Sequence, residues 1–117
     1  MEATKEKTCQ ERIEAELKGR ISDFEKALKG DYSFQGDGYE YEDFIEFINS
    51  YSLAYEDDPH NRGKRLELSY GGPQDYFVFF EDGTITYHFL DWFDGAEVTL
   101  YGHNLEVMEA VRDYLAG

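Results

Sequence analysis

Midway along this chain the spacing of apolar residues changes from a helical period to a strand period, and that change restricts the folds open to it. Ile13, Leu17, Ile21, Phe24 and Leu28 recur at steps of three or four, the stripe of one amphipathic helix over residues 4–29. Thr4 is placed to cap its start, and Gly30 to stop it in a left-handed conformation. Gly19 falls inside it at a cost of about 1 kcal/mol relative to Ala. Residues 31–39 read as a loop. A second helix over about 41–54 carries Phe44, Phe47, Ile48 and Tyr51 on its apolar side. Residues 56–63 form a polar connection that Pro59 and Gly63 keep from being helical.

Beyond that connection the period is two. Leu66, Leu68 and Tyr70 alternate with Arg65, Glu67 and Ser69, as in a half-buried strand. Gly71-Gly72-Pro73 is a turn. Tyr76 to Phe80 is apolar on both faces, which places it centrally in a sheet. Asp82-Gly83 signals a two-residue hairpin, and Thr84 to Leu90 is the next strand. Asp94-Gly95 marks another turn before a strand over Ala96 to Leu100. Asn104 can cap a last helix striped by Leu105, Met108, Val111 and Leu115. The order is helix, helix, four antiparallel strands, helix. This predicts an α+β domain: two N-terminal helices, a four-stranded antiparallel meander sheet, and a C-terminal helix packed on one face.

A length of 117 residues predicts a single domain, 1–117, large enough for one modest core. The aromatic share, 17 %, supplies large buried areas from few side chains and argues against disorder. Cys9 is the one cysteine, so no internal disulfide forms. Its neighbours Lys7, Thr8, Gln10 and Glu11 place it on a solvated helix face, and a free thiol fits a reducing cytoplasm. No apolar run reads as a signal peptide or a membrane span.

Charge divides the chain into three parts. Residues 1–30, the first helix, hold seven bases and seven acids. Residues 31–63, the acidic loop and helix, carry a net charge of −8, and residues 64–117, the sheet and last helix, carry −7. The whole net charge of −15 therefore lies after residue 30. Such a field repels nucleic acid and anionic membrane, and attracts basic surfaces that normally hold nucleic acid.

Glu40, Glu42, Asp43 and Glu46 stand without a nearby base. In a helix they would rise about 9 Å, one charge per ~2.3 Å against one per ~1.7 Å of duplex axis. Glu56, Asp57 and Asp58 extend the run. A solvated helix face is the plainer reading, but such faces usually mix both signs, as residues 4–29 do. Residues 31–42 also fit part of a calcium-loop template, with Asp31, Ser33, Gln35, Gly36 and Glu42 at positions one, three, five, six and twelve. Gln35 and Gly38 depart from the template, and no second loop pairs with it. His60, His88 and His103 lack ligand spacing, and no catalytic or phosphate-binding motif is present. This leads to the expectation of no enzyme and no cofactor.

Asp91-Trp92-Phe93-Asp94-Gly95-Ala96 is the most distinctive string. Two aromatics between acids at a turn are either an exposed recognition point or, more commonly, an anchor of the bend in the core. Core anchoring is the expectation here. Together with Leu68 to Pro73, Asp75, Phe77, Phe79, Tyr87 to Leu90 and Leu100-Tyr101-Gly102, this string resembles a family of small proteins carried on bacterial plasmids, conjugative elements and prophages. The resemblance covers residues 66–115. It implies a mobile-element setting and brings no catalytic residues.

Acidity and that setting combine into one expectation: a cytoplasmic, non-enzymatic inhibitor of the anti-CRISPR or antirestriction type, mimicking nucleic acid. It would bind a basic host protein, a nuclease or CRISPR effector complex, and neither nucleic acid nor membrane. Its contact residues would be Glu40, Glu42, Asp43, Glu46, Glu56, Asp57 and Asp58, with Asp91 and Asp94 as a second cluster. The alternatives are an interaction or regulatory module with an aromatic interface, and a calcium-binding protein using residues 31–42.

Overall fold

The computed structural model describes residues 8–38 and 40–116. The first helix, α1, spans Cys9–Leu28, and Thr8 caps it. The Thr8 hydroxyl accepts the Glu11 N–H, and the Glu11 carboxylate accepts the Thr8 N–H at 2.8 Å. The expected cap, Thr4, lies outside the described residues. At the other end Gly30 takes φ 81°, its N–H donating to Ala27 and that of Asp31 to Lys26, which closes off the last carbonyls. Cys9 is buried, contrary to the solvated face expected of it. It stands four residues before Ile13 and eight before Leu17, and so opens the apolar stripe.

The second helix, α2, is shorter than its pattern suggests, Phe44–Tyr51. Asp43 caps it by accepting the Glu46 N–H at 2.9 Å. The Ser52 hydroxyl donates to the Ile48 carbonyl at the other end, and the Leu53 N–H donates to the Glu67 carbonyl. That last bond draws the chain into a strand, β1 (Ala54–Asp57), where the sequence predicts helix and polar connection. The sheet therefore has five strands: β1, β2 (Gly63–Ser69), β3 (Gln74–Phe80), β4 (Ile85–Asp91) and β5 (Asp94–Thr99), antiparallel and in chain order. As expected, β3 is central. The β3–β4 connection is a three-residue loop, Glu81 to Gly83, closed by Phe80 and Thr84, not a two-residue one.

The last helix, α3 (Gly102–Leu115), follows Tyr101 and has no side-chain cap, so Asn104 sits inside its first turn. Val107, Met108 and Val111 enter the core. There they meet the α1 stripe and Phe44, Phe47 and Ile48 of α2. The opposing sheet face supplies Leu66, Leu68, Phe77, Phe79, Ile85, Tyr87 and Phe89. Helices thus cover one face of the sheet, and burial of these large side chains drives the assembly.

One polar group sits inside that layer. Asp75, 2 % exposed, accepts two hydrogen bonds from the Arg20 guanidinium at 2.7 and 2.9 Å, one from the Tyr87 hydroxyl at 2.6 Å and one from Ser69. Arg20 also donates to the Tyr51 hydroxyl, which donates to Asp23. Burial works against the Arg20 charge, but Asp75 and Tyr51 hold it more firmly protonated than a free guanidinium.

Gly63 opens β2 with φ 144°, and a Cβ there would overlap the Phe79 carbonyl oxygen of the neighbouring strand. Gly63→Ala is expected to lower unfolding stability by at least about 2 kcal/mol, read by urea denaturation. An unchanged midpoint would show that β2 and β3 approach less closely than described.

Candidate protein-binding surfaces

The nine acids singled out in the sequence fall into three places. Glu40, Glu42, Asp43 and Glu46 surround the start of α2 and are all exposed. Because the helix begins at Phe44, Glu40, Glu42 and Asp43 lie on the chain leading into it, and only Glu46 is helical. The evenly spaced helical row expected of them does not form. Among the described residues, no base lies within ion-pair distance of Glu40, Glu42, Asp43 or Glu46. Aromatic rings underlie them: Tyr32 meets Tyr41 at 4.9 Å and Phe47 at 5.5 Å, and Phe44 meets Tyr114 at 4.9 Å. Burial, then the nearby charges of Asp43 and Glu46, push the Tyr32 hydroxyl pKa up.

Glu56 and Asp57 lie exposed on β1, where Asp57 meets Lys64 at 2.7 Å in open solvent. Asp58 is different. It is 4 % exposed and accepts from the Arg62 guanidinium at 2.8 and 3.0 Å, from Arg65 at 3.2 Å and from the His60 N–H. Hydrogen bonding from Arg62 outweighs desolvation and holds its carboxyl below the usual range. Asp58 thus ties the 58–62 turn to the sheet.

Asp91 and Asp94 form the third place, and both face α1. Asp91 pairs with Arg12 at 2.7 Å, and Asp94 accepts the Cys9 N–H at 2.8 Å. They face each other as the last pair of the β4–β5 hairpin. The turn is therefore Trp92-Phe93, two residues earlier than the Asp-Gly signal. Both aromatics have positive φ, 51° and 61°, a region bulky side chains rarely enter. Neither anchors the core: Trp92 is 80 % exposed, and Phe93 is fully so. The ion pair and the helix-end hydrogen bond hold the hairpin in this strained form. Beside the tip lies a cavity of about 460 Å³ lined by Gly72, Gln74, Leu90 and Gly95.

Sequence reasoning missed a polar constellation on the sheet face away from the helices. Arg65 lies 3.7 Å over the Tyr76 ring, which stacks on His88 at 4.7 Å, and His88 Nε2 shares a 2.8 Å hydrogen bond with the Thr86 hydroxyl. Glu97 stands 3.9 Å from His88 Nδ1. His60, Arg62, Leu90 and Glu97 join Tyr76 and His88 around a cavity of about 340 Å³. The signal was present in the apolar character of Tyr76 and Val78, on the face opposite Phe77 and Phe79.

In the 31–42 segment Asp31 accepts from the Ser33 N–H and hydroxyl, and residues 33–35 form a short 3₁₀ turn. Among the described residues no three His, Cys, Asp or Glu side chains gather as a metal site requires, and no helix is long and apolar enough to cross a membrane. No protein-family model, curated protein or solved structure matches the chain.

Burial, with Arg62 and Arg65 nearby and Glu97 and Asp58 opposing, lowers the His88 pKa to about 4. An unfolded histidine titrates near 6.5. Between those values the unfolded chain binds a proton that the folded chain does not, so stability falls as pH falls from about 6.5 to 4. The slope from this group reaches at most about 1.4 kcal/mol per pH unit. His88→Gln is expected to flatten the urea midpoint across that window. An unaltered slope would assign it to other groups.

Proposed function

We propose that this protein is a non-enzymatic, acidic binding protein of the cytoplasm that occupies the basic, nucleic-acid-holding surface of a host defence protein. The observation that carries this reading is the exposed carboxylate surface around the start of α2, with no described base paired to it. Residues 31–61 contain no Lys or Arg at all. Asp43 and Glu46 lie near Tyr32, and carboxylates beside aromatic rings suit guanidinium and ammonium groups, which take both ion pairing and ring contact. The resemblance to mobile-element proteins supports a defence protein as the target. Asp58, Asp91 and Asp94 are committed to internal bonds, so the contact set narrows to Glu40, Glu42, Asp43, Glu46, Glu56 and Asp57.

A second reading, an interaction module with an aromatic interface, is favoured by one observation: the exposed, strained Trp92-Phe93 tip. Salt separates the two. Raising ionic strength from about 0.01 M to about 0.15 M shortens the Debye length from about 30 Å to about 8 Å, which weakens a charge-led complex steeply and an aromatic-led one little.

The test is affinity capture on the immobilised protein at low and at moderate salt, with bound proteins identified and binding of the recovered target measured. Capture of a nuclease or CRISPR effector, lost at higher salt, is the expected result. Glu42→Lys, Glu46→Lys and Glu56→Lys together are expected to weaken binding at least about tenfold, about 1.4 kcal/mol, with stability nearly unchanged. Asp43 is left intact in this variant because it caps α2. Undiminished binding by the folded triple variant would move the interface away from these acids.

A further inference from the structure

We propose that the outer edge of β5, with the Trp92-Phe93 tip at its start, takes an extended segment of a partner protein as a sixth strand, and that this segment alternates basic and apolar residues. The argument begins with the free edge. Among the described residues the sheet ends at β5, and no strand lies on its outer side. In a two-residue hairpin closed by Asp91 and Asp94, that pair and alternate pairs along the ladder exchange backbone bonds, so Glu97 and Thr99 turn their N–H and C=O outward. Natural edges are usually blunted by Lys, Pro, a bulge or short length. The other edge, β1, is four residues long, whereas β5 has six, holds neither Lys nor Pro, and pairs with β4 without a register break.

The side chains of β5 specify what fits. Ala96 and Val98 face the core and are only partly buried, so apolar residues of an added strand continue that layer. Glu97 faces the other way. Its side chain is 66 % exposed, and its one ion-pair contact among the described residues is to a histidine held neutral. It faces a cation on the added strand, and the net charge of −15 favours the same sign of partner. Two exposed aromatics in a left-handed turn cost stability where Asn-Gly would not, so the fold does not explain them. At the end of the edge they supply rigid apolar area to a chain laid along it. A second copy of this acidic chain would bring like charge to the edge. A lipid surface would meet an aromatic tip whose one described neighbouring base, Arg12, is paired with Asp91.

The proposal rests on the charge-led reading only for the sign of the partner, and the test separates the two. The probes are synthetic peptides of about eight residues, one alternating Arg with Val and the other Arg with Pro, equal in charge. Proline gives no N–H to a ladder. Trp92 is the one tryptophan, so its emission reports on the tip. The Arg–Val peptide is expected to bind at least about tenfold more tightly than the Arg–Pro peptide. It should shift Trp92 emission to the blue and slow amide exchange at Glu97 and Thr99. Glu97→Pro, and separately Trp92→Asn with Phe93→Gly, are each expected to reduce that preference, read by anisotropy of the labelled peptide. Equal binding of both peptides would overturn strand addition and leave charge attraction standing. Binding of neither at low salt would overturn both. A blue shift with phosphatidylcholine vesicles, or on raising protein concentration alone, without response to the peptide, would assign the tip to lipid or to a second copy.

Discussion

The layer of helices is fixed on the sheet by an ion pair whose carboxylate is buried. Asp75 lies on the central strand, and Arg20 reaches it from the middle of α1. A carboxylate and a guanidinium taken out of water lose several kcal/mol of hydration each, and only close geometry with further hydrogen bonds offsets that loss. Those bonds are present. Two come from Arg20 in fork geometry, one from Tyr87 on β4 and one from Ser69 at the end of β2. Tyr51 extends the network to α2, and its hydroxyl reaches back to Asp23 on α1. Three elements beside β3 thus meet at one carboxylate, and α2 joins them through Arg20. Apolar burial alone would hold α1 on the sheet but would tolerate small slides. The network selects one register, in which Ile13, Leu17 and Phe24 lie over the sheet.

That use of Asp75 is one case of a wider division among the acids. Asp58 holds the 58–62 turn, Asp91 and Asp94 hold the aromatic hairpin against the start of α1, and Asp43 caps α2. Arg12 and Arg20 of the charge-balanced first helix supply cations to sheet carboxylates, so that part of the chain is an electrostatic complement of the sheet. The acids left over, chiefly those around α2 and Glu56 on β1, have no such ion pairs among the described residues, and they produce the one-sided field. Apart from Asp43, which both caps α2 and belongs to the proposed contact set, fold and proposed function therefore draw on different carboxylates, and the charge reversals chosen to test binding leave the structural set alone.

Much of this was legible in the sequence because it depends on periodicity. The α1 stripe, the central β3 and the C-terminal helix follow from apolar spacing alone. What was not legible depends on tertiary contact. β1 forms because β2 offers Leu53 and its successors a ladder, and residues 54–57 carry no apolar alternation to announce it. Cys9 could have been placed by its spacing from Ile13, but its polar neighbours masked the stripe. The β4–β5 turn misled because Asp-Gly outranks Trp-Phe on every local preference. The bonds that overrule this preference come from Arg12 and Cys9, some eighty residues away. Likewise, no local pattern shows that Asp58, Asp91 and Asp94 bond to other parts of the chain while, among the described residues, Glu40, Glu42 and Glu46 pair with no base.

The dependence of the structure on the Arg20–Asp75 pair is tested most directly by a double-mutant cycle, with Arg20→Met, Asp75→Asn and their combination followed by urea unfolding. Arg20→Met leaves the buried Asp75 without its partner and so should cost about 3–5 kcal/mol, and Asp75→Asn leaves the partly exposed Arg20 without its carboxylate and should cost up to that much. The double variant should cost little more than either one, giving a coupling energy of at least about 2 kcal/mol. Single losses that add to within about 0.5 kcal/mol would contradict the account, because they would show that the two residues contribute independently and that the helix layer finds its register without them.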